Sequence, residues 1–366
     1  MVDFDRNVYC LLGLPFDAVD MASAIRCLRT AARDRTAYFI ATPNVNFLVA
    51  SLTDESFRDS VIQSDLSLMD GMPLVWIARL LRVPIRERLS GSTLLEELRA
   101  DVSSQLAVFF FGGAKGVAEA ACRRLHEESS GLSCAGFLAP GFVSVEEMSS
   151  NETIARINES QADFLVVSLG ARKGLAWIER NREGLAVPVV SHLGAVINFI
   201  AGTVNRAPKW MQHTGLEWLW RIKEEPGLWR RYTSDARVLV FLLSTRVLPL
   251  AWYLWRHRPT KTDLECARVE TEQDRGIHVL RLGGAWQAHN LGALRSALSA
   301  AAATAGDVRL DMAGVGYVDS AFLGLVLLLH GSLKRQKRRL YIVSIRKSVR
   351  KMFKYCLADN LLQSPS

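Results

Sequence analysis

None of the six cysteines (Cys10, Cys27, Cys122, Cys134, Cys266, Cys356) has a partner at C-x-x-C spacing, so there is no zinc pattern. The opening run MVDFDRNVYC lacks a basic stretch followed by an apolar core, so a secretory signal is not expected and a cytoplasmic protein is. In that compartment a disulfide framework is not expected either. No internal repeat links one part of the chain to another, and no run matches G-x-G-x-x-G. With 49% hydrophobic and 22% charged residues the chain is neither disordered nor fibrous, and 366 residues leave room for two domains with a sizeable core. Acidic residues are short against basic ones, 37 to 45, for a net charge of +8. That favours an anionic partner without choosing between nucleic acid, phosphoryl ligands and anionic lipid.

The location of the charge says more. Arg206 to Arg258 holds ten Lys/Arg against four Asp/Glu, and six of the nine tryptophans: Trp210, Trp218, Trp220, Trp229, Trp252 and Trp255. Arg and Lys beside Trp and Leu is the composition of a membrane-interface segment, and also of a nucleic-acid surface. Within it Val238–Trp255 is about long enough to span a bilayer, but Arg246 sits at its middle and Pro249 follows. An interfacial or partly inserted helix fits this pattern better than a span or a buried soluble helix.

Before that segment, apolar runs suited to buried parallel strands (37–41, 107–111, 164–168, 187–191) alternate with helical patterns (22–34, 56–64, 73–81, 117–128, 144–159). Such alternation predicts an α/β sheet that binds ligands at the carboxyl ends of its strands. After it, RHRPTKTDLECAR (256–268) reads as a linker. A small βαβαβα unit is then predicted, with strands at 276–282, 307–312 and 339–344 and helices at 291–303 and 322–333.

Candidate chemistry lies at the strand ends. ATPNVNF (41–47) offers Thr42, Asn44 and Asn46 either as groups for a sugar or nucleobase or, for the asparagines, as helix caps. Asp70 in LMDGMPLVW stands at a strand-to-helix turn, placed as a general base or as a cap. Arg86 and Arg88 precede a helix start, where Arg can clamp phosphate. Gly112 and Gly113 follow a strand, and the SLGARKG (168–174) and SHLGAVINF (191–199) turns add Gly170, Lys173 and Gly194. Several such turns can converge on one nucleotide.

In this order TPNVNFLV, DGMPLVW, RLSGS, VFFFGG and above all AGTVNRAPKWMQHTGLEWLWRIKEEPGLWRRY (201–232) resemble the WecG/TagA/CpsF family, glycosyltransferase family 26. The resemblance implies a Rossmann-like parallel-sheet catalytic domain (1–205) and a basic, Trp-rich membrane-binding helical appendage (206–258). It implies an inverting, metal-independent enzyme without cofactor, moving a hexose or N-acetylhexosamine from a UDP-sugar to a polyprenyl-diphosphate-linked sugar. The products would feed exopolysaccharide or other cell-surface polysaccharide. Asp70 would be the base, with Thr42, Asn44 and Arg88 in the substrate pocket. Arg206, Lys209, Arg221, Arg230 and Arg231 would hold the lipid diphosphate at the cytoplasmic face of the inner membrane. On this reading the basic segment meets a membrane surface and not nucleic acid. Two departures stand out: Gly174 and Leu175 replace an expected Gln-Glu, and Ile197 and Asn198 replace Phe-Asp. They imply lost hydrogen bonds and therefore another donor, or an inactive scaffold that works through its C-terminal unit.

That unit (269–366, after a linker at 259–268) resembles a STAS domain through YVDSAFLGLVLLL (317–329). Asp319 and Ser320 remain from the loop, while Ala321 stands at the phosphorylated position and excludes a phospho-switch there. The resemblance implies docking to a protein partner or to another copy. The basic runs 334–341 and 346–354 read as solvated faces or as a second contact with anionic membrane.

Overall fold

The computed structural model describes residues 2–362. Met1 and the last four residues, which fall within the expected bounds of the first and last domains, lie outside the described residues. The strands in chain order are β1 (Val8–Leu11), β2 (Leu14–Asp17), β3 (Tyr38–Ala41), β4 (Leu66–Ser67), β5 (Leu106–Gly112), β6 (Leu132–Leu138), β7 (Phe164–Ser168), β8 (Val189–His192), β9 (Arg268–Asp274), β10 (Ile277–Trp286), β11 (Val308–Val318) and β12 (Leu340–Val343). They belong to two compact units whose limits differ from the expected domain bounds. One unit comprises Val19–Val75 and Glu87–Ala236, and the other the first 18 residues, Trp76–Arg86 and the chain from Arg237 onward.

The first unit is a six-stranded parallel sheet in the order β4-β3-β8-β7-β5-β6. β7 and β8 are buried along their whole length, as strands covered by helices on both faces must be. Leu28, Ile40, Leu94, Val108, Phe110, Leu125, Phe164 and Val166 belong to one continuous apolar core. The registers Ala41↔Ser67, Val167↔His192 and Gly112↔Ser168 bring the carboxyl ends of β3, β4, β8, β7 and β5 to one edge. One expectation fails here. The helix Val117–Glu128 returns along β6, sets the Cα atoms of Cys122 and Cys134 5.2 Å apart, and the two sulfurs are joined in a disulfide.

In the second unit β12-β11-β10-β9 form a mixed sheet, with β9 antiparallel to β10. The helices Gly292–Ala303, Ser320–Arg335 and Lys347–Tyr355 complete it. The β1–β2 hairpin also belongs here. It lies on the Ser320–Arg335 helix so closely that a Cβ at Gly324 would be 2.7 Å from the Val8 carbonyl oxygen. Phe4, Val8, Leu11, Leu14 and Phe16 are all at most 2% exposed, Arg6 and Asp17 pair at 2.6 Å, and Arg295 donates to the carbonyls of Phe4 and Arg6. This part of the STAS-like unit is covered from within the chain, so docking to another protein would need a different face. Asp319 caps the same helix: its Oδ1 accepts from Ala321 N and Phe322 N, each at 2.9 Å, and its Oδ2 from Ala288 N at 2.9 Å. Ser320 is the first helical residue.

Pro226–Arg256 is one helical stretch of 31 residues, long and apolar enough by length and composition to cross a membrane. Pro249 has no N–H to return to Thr245, and the helix loosens into a π-turn at Leu243–Val247 just before it. Beyond Arg237 one face is packed: Leu242, Val247, Leu250 and Tyr253 are buried, Arg246 donates to Lys354 O at 3.0 Å, and the Tyr253 hydroxyl to Ser348 O at 3.3 Å. The other face leaves Val240, Phe241, Leu248, Trp252 and Trp255 56% to 63% exposed. The expected linker holds a capped helical turn at Lys261–Glu265, with Thr260 and Asp263 forming the capping box.

Candidate functional site

The loops after β3 and β4 are stitched together by backbone bonds. Leu68 N donates to Ala41 O at 2.8 Å, Asp70 N to Pro43 O at 3.0 Å, and Leu89 N to Met69 O at 2.9 Å. These bonds bring the Thr42 turn, Asp70 and the Arg88 loop to one place at the sheet edge. Thr42 is buried there, 6% exposed. Arg88 Nε lies 3.2 Å from Asp70 Oδ1, and its Nη1 lies 2.5 Å from Glu217 Oε2. Glu217 comes from the helix Glu217–Glu224 in the expected appendage, so that segment folds back onto the strand ends.

Asp70 is the most perturbed carboxyl of the site. Burial pushes its pKa up to about 6. Arg88 opposes the shift, Glu217 adds to it, and Arg221 and Arg206 oppose it more weakly. A carboxylate that ionises near neutrality beside a fixed guanidinium can take a proton from a hydroxyl. Around it are three arginines. Arg206 donates to Thr93 Oγ1 at 2.8 Å and pairs with Glu96, and Arg221 lies over the Phe199 ring at 5.6 Å. The buried Nε–H groups of Arg206 and Arg221 have no hydrogen-bond partner among the described residues. Such orphaned cationic donors suit an anionic ligand.

The other candidates fall into three groups. Asn44 caps the helix Val45–Thr53, its Oδ1 accepting from Phe47 N at 3.2 Å, and Asn46 reaches Asp235 Oδ2 at 3.4 Å. Asp235, which the sequence reading does not single out, is buried, and burial raises its pKa. Gly112, Gly113, Gly170 and Gly194 all lie at the sheet edge. Gly112 has φ +104° with the Ser168 carbonyl against its Cα, where a side chain does not fit. Gly113 N is committed to Ser168 O at 2.9 Å and is not a free amide for phosphate. Gly170 caps the helix Ala171–Asn181 without a side-chain bond, while Lys173 Nζ donates to Val143 O at 3.2 Å. Lys209, Arg230 and Arg231 are exposed, the last two stacked over Trp229 and Tyr232.

The departures at 174 and 175 take on a different meaning. Gly174 and Leu175 are both buried, on the inner face of the Ala171–Asn181 helix. Leu175 is packed into the unit at 1% exposure. A Cβ at Gly174 would fall inside the His192 imidazole. Both positions are interior, and Gly174 is turned toward His192. Ile197 is likewise core, with its methyls 3.5 Å from the position of a Cβ at Gly113.

A parallel sheet whose strand-end loops gather a partly buried carboxyl and an arginine cluster is an architecture suited to group transfer. A family model described as the glycosyl transferase WecG/TagA/CpsF family matches residues 9–251, and one described as Mlab, STAS domain matches residues 269–363. The chain belongs to the WecG/TagA/CpsF family of glycosyltransferases and carries a STAS domain behind it. It is similar to the N-acetylglucosaminyldiphosphoundecaprenol N-acetyl-beta-D-mannosaminyltransferase of Bacillus spizizenii, 27% identical over 63% of this chain and 88% of that protein. The protein of the same description from Bacillus subtilis is 28% identical over 56% of this chain and 78% of its own length. That from Staphylococcus aureus is 24% identical over 63% and 89%.

Proposed function

We propose that the protein transfers a hexose or N-acetylhexosamine from a UDP-sugar, with inversion, to a sugar carried on a polyprenyl diphosphate, at the cytoplasmic face of the inner membrane. The observation that carries this reading is the partly buried Asp70, paired with an Arg88 that Glu217 holds from its other side, with the unpartnered Nε–H groups of Arg206 and Arg221 among the charges that act on it. The similar transferases are named for an acceptor of this class.

In the proposed step the acceptor hydroxyl loses its proton to the Asp70 carboxylate as its oxygen attacks the anomeric carbon. The bond from that carbon to the UDP oxygen breaks, UDP leaves with the electron pair, and Asp70 returns its proton to water. Attack opposite the leaving group converts an α-linked donor into a β-linked product. Arg88 holds the carboxylate in place. The arginine cluster offsets charge on the diphosphates without a metal. The exposed Trp210, Trp218 and Trp229, with Lys209, Arg230 and Arg231, would meet the bilayer surface, where Trp and Arg sit well.

Membership of the transferase family favours catalysis over the scaffold alternative. The test is UDP release by the full-length protein with vesicles bearing polyprenyl-diphosphate-linked N-acetylglucosamine or glucose and a panel of UDP-sugars. Release with one donor, absent in Asp70→Asn, supports the reading. UDP binding without release from any donor moves it to a scaffold.

A further inference from the structure

His192 ends β8, level with Val167 of the neighbouring strand β7. Its Nε2 is 2.8 Å from the Leu169 carbonyl oxygen. A carbonyl can only accept, so Nε2 carries the proton and donates. Burial lowers the imidazole pKa and keeps the ring neutral, which suits that tautomer. The ring stands on Phe47, with centroids 5.8 Å apart. The turn it holds is Ser168–Leu169–Gly170, which launches the helix Ala171–Asn181. Gly170 supplies no side-chain cap, and Ser168 O is already taken by Gly113 N. The Leu169 carbonyl is therefore held by the His192 side chain, and Gly194 leaves room beside it, since a Cβ there would come within 3.2 Å of that oxygen. The ring can occupy this place only because residue 174 has no side chain.

We propose that His192 is a positioning residue for the donor: through its bond to Leu169 O it sets the strand-end turn against which the UDP diphosphate binds, and Gly174 is the vacancy that admits it. This rests on the transferase reading above. The pair explains the glycine as an exchange, in which the side chain given up on the helix is replaced by one arriving from the adjacent strand.

The experiment uses the full-length chain, with UDP binding by calorimetry and donor KM and kcat by UDP release. His192→Leu fills the space without a donor, and His192→Gln restores an N–H. Loss of one buried hydrogen bond predicts about tenfold weaker UDP binding and about tenfold higher donor KM in His192→Leu, with acceptor KM unchanged. His192→Gln should stay within about threefold of wild type on the same grounds. Gly174→Ala, which pushes the ring off Leu169, should reproduce the leucine variant, and should also remove the Nε2–H tautomer signal from the imidazole 15N spectrum. If His192→Leu is insoluble, the glutamine and Gly174→Ala variants carry the test alone. UDP binding equal to wild type in His192→Leu or Gly174→Ala would overturn the proposal while leaving the transferase reading intact. A wild-type chain that binds no UDP would sink both.

Discussion

Replacing Asp70 by Asn should cut turnover by orders of magnitude and at the same time stabilise the protein, by an amount that depends on pH. The carboxyl pKa moves from its ordinary 3.8 up to about 6 on folding, chiefly because the folded chain desolvates it. The native state therefore binds a proton more tightly than the unfolded one. Stability from this group is full below pH 4, declines as pH rises from about 4 to about 6, and stays reduced above. Two units at about 1.4 kcal/mol each set a ceiling of about 3 kcal/mol. The side chain is still 26% exposed, so solvent screening brings the expected figure to about 1–2 kcal/mol. The assay is urea unfolding of wild type and Asp70→Asn at pH 4 and pH 7.5. The stability difference, variant minus wild type, should grow by that amount between the two. Turnover should meanwhile fall about 10²–10⁴-fold, the worth of a general base. A difference that is equal at both pH values, or that shrinks toward pH 7.5, would refute the argument that a costly buried carboxylate is held there for catalysis.

Other consequences can be checked alongside. Glu217 raises the Asp70 pKa, so Glu217→Gln should shift the acidic limb of the kcat profile to lower pH, whereas Arg88→Gln should shift it upward; opposite movements would discard the assigned coupling. Trp252 and Trp255 are 61% and 59% exposed on the free helix face, and replacing both with Ser should weaken co-sedimentation with anionic vesicles about tenfold or more. Unchanged sedimentation would remove that face from the membrane reading. Asp319→Ala removes three hydrogen bonds at a helix start and should cost about 1–2 kcal/mol in urea unfolding, while Ser320→Ala should be close to neutral. Ending the chain after Arg258 leaves the hairpin residues Phe4, Val8, Leu11, Leu14 and Phe16 without the helix they pack on, and the product should aggregate.

Much of the fold is legible in the sequence because parallel strands must be apolar throughout. Phe164–Ser168 and Phe109–Phe111 stand out for that reason. What escapes has a reason as well. β4 is two residues long, and β9 reads RVETEQD, an edge strand whose charges keep other chains from pairing with it and make it look like linker. At the site, Asp70, Arg88, Arg206 and Arg221 can be picked out by motif. Glu217 lies within the quoted Gly-Leu-Glu-Trp run, but nothing local says that its helix folds back on Arg88. His192 looks like one more strand residue until the empty place at Gly174, 18 positions earlier, is seen beneath its ring. Both are long-range pairings, which sequence periodicity does not report.

The seat of the first hairpin has a consequence for how the chain is made. Val8 is made well before Gly324, the residue on which it rests. Until the Ser320–Arg335 helix is made, that hairpin has no helix to lie on. Contacts of such long sequence separation form late, so a chain that stalls before this helix carries an uncovered apolar hairpin. The STAS-like unit therefore closes only when a segment that precedes the parallel sheet in sequence meets one that follows it.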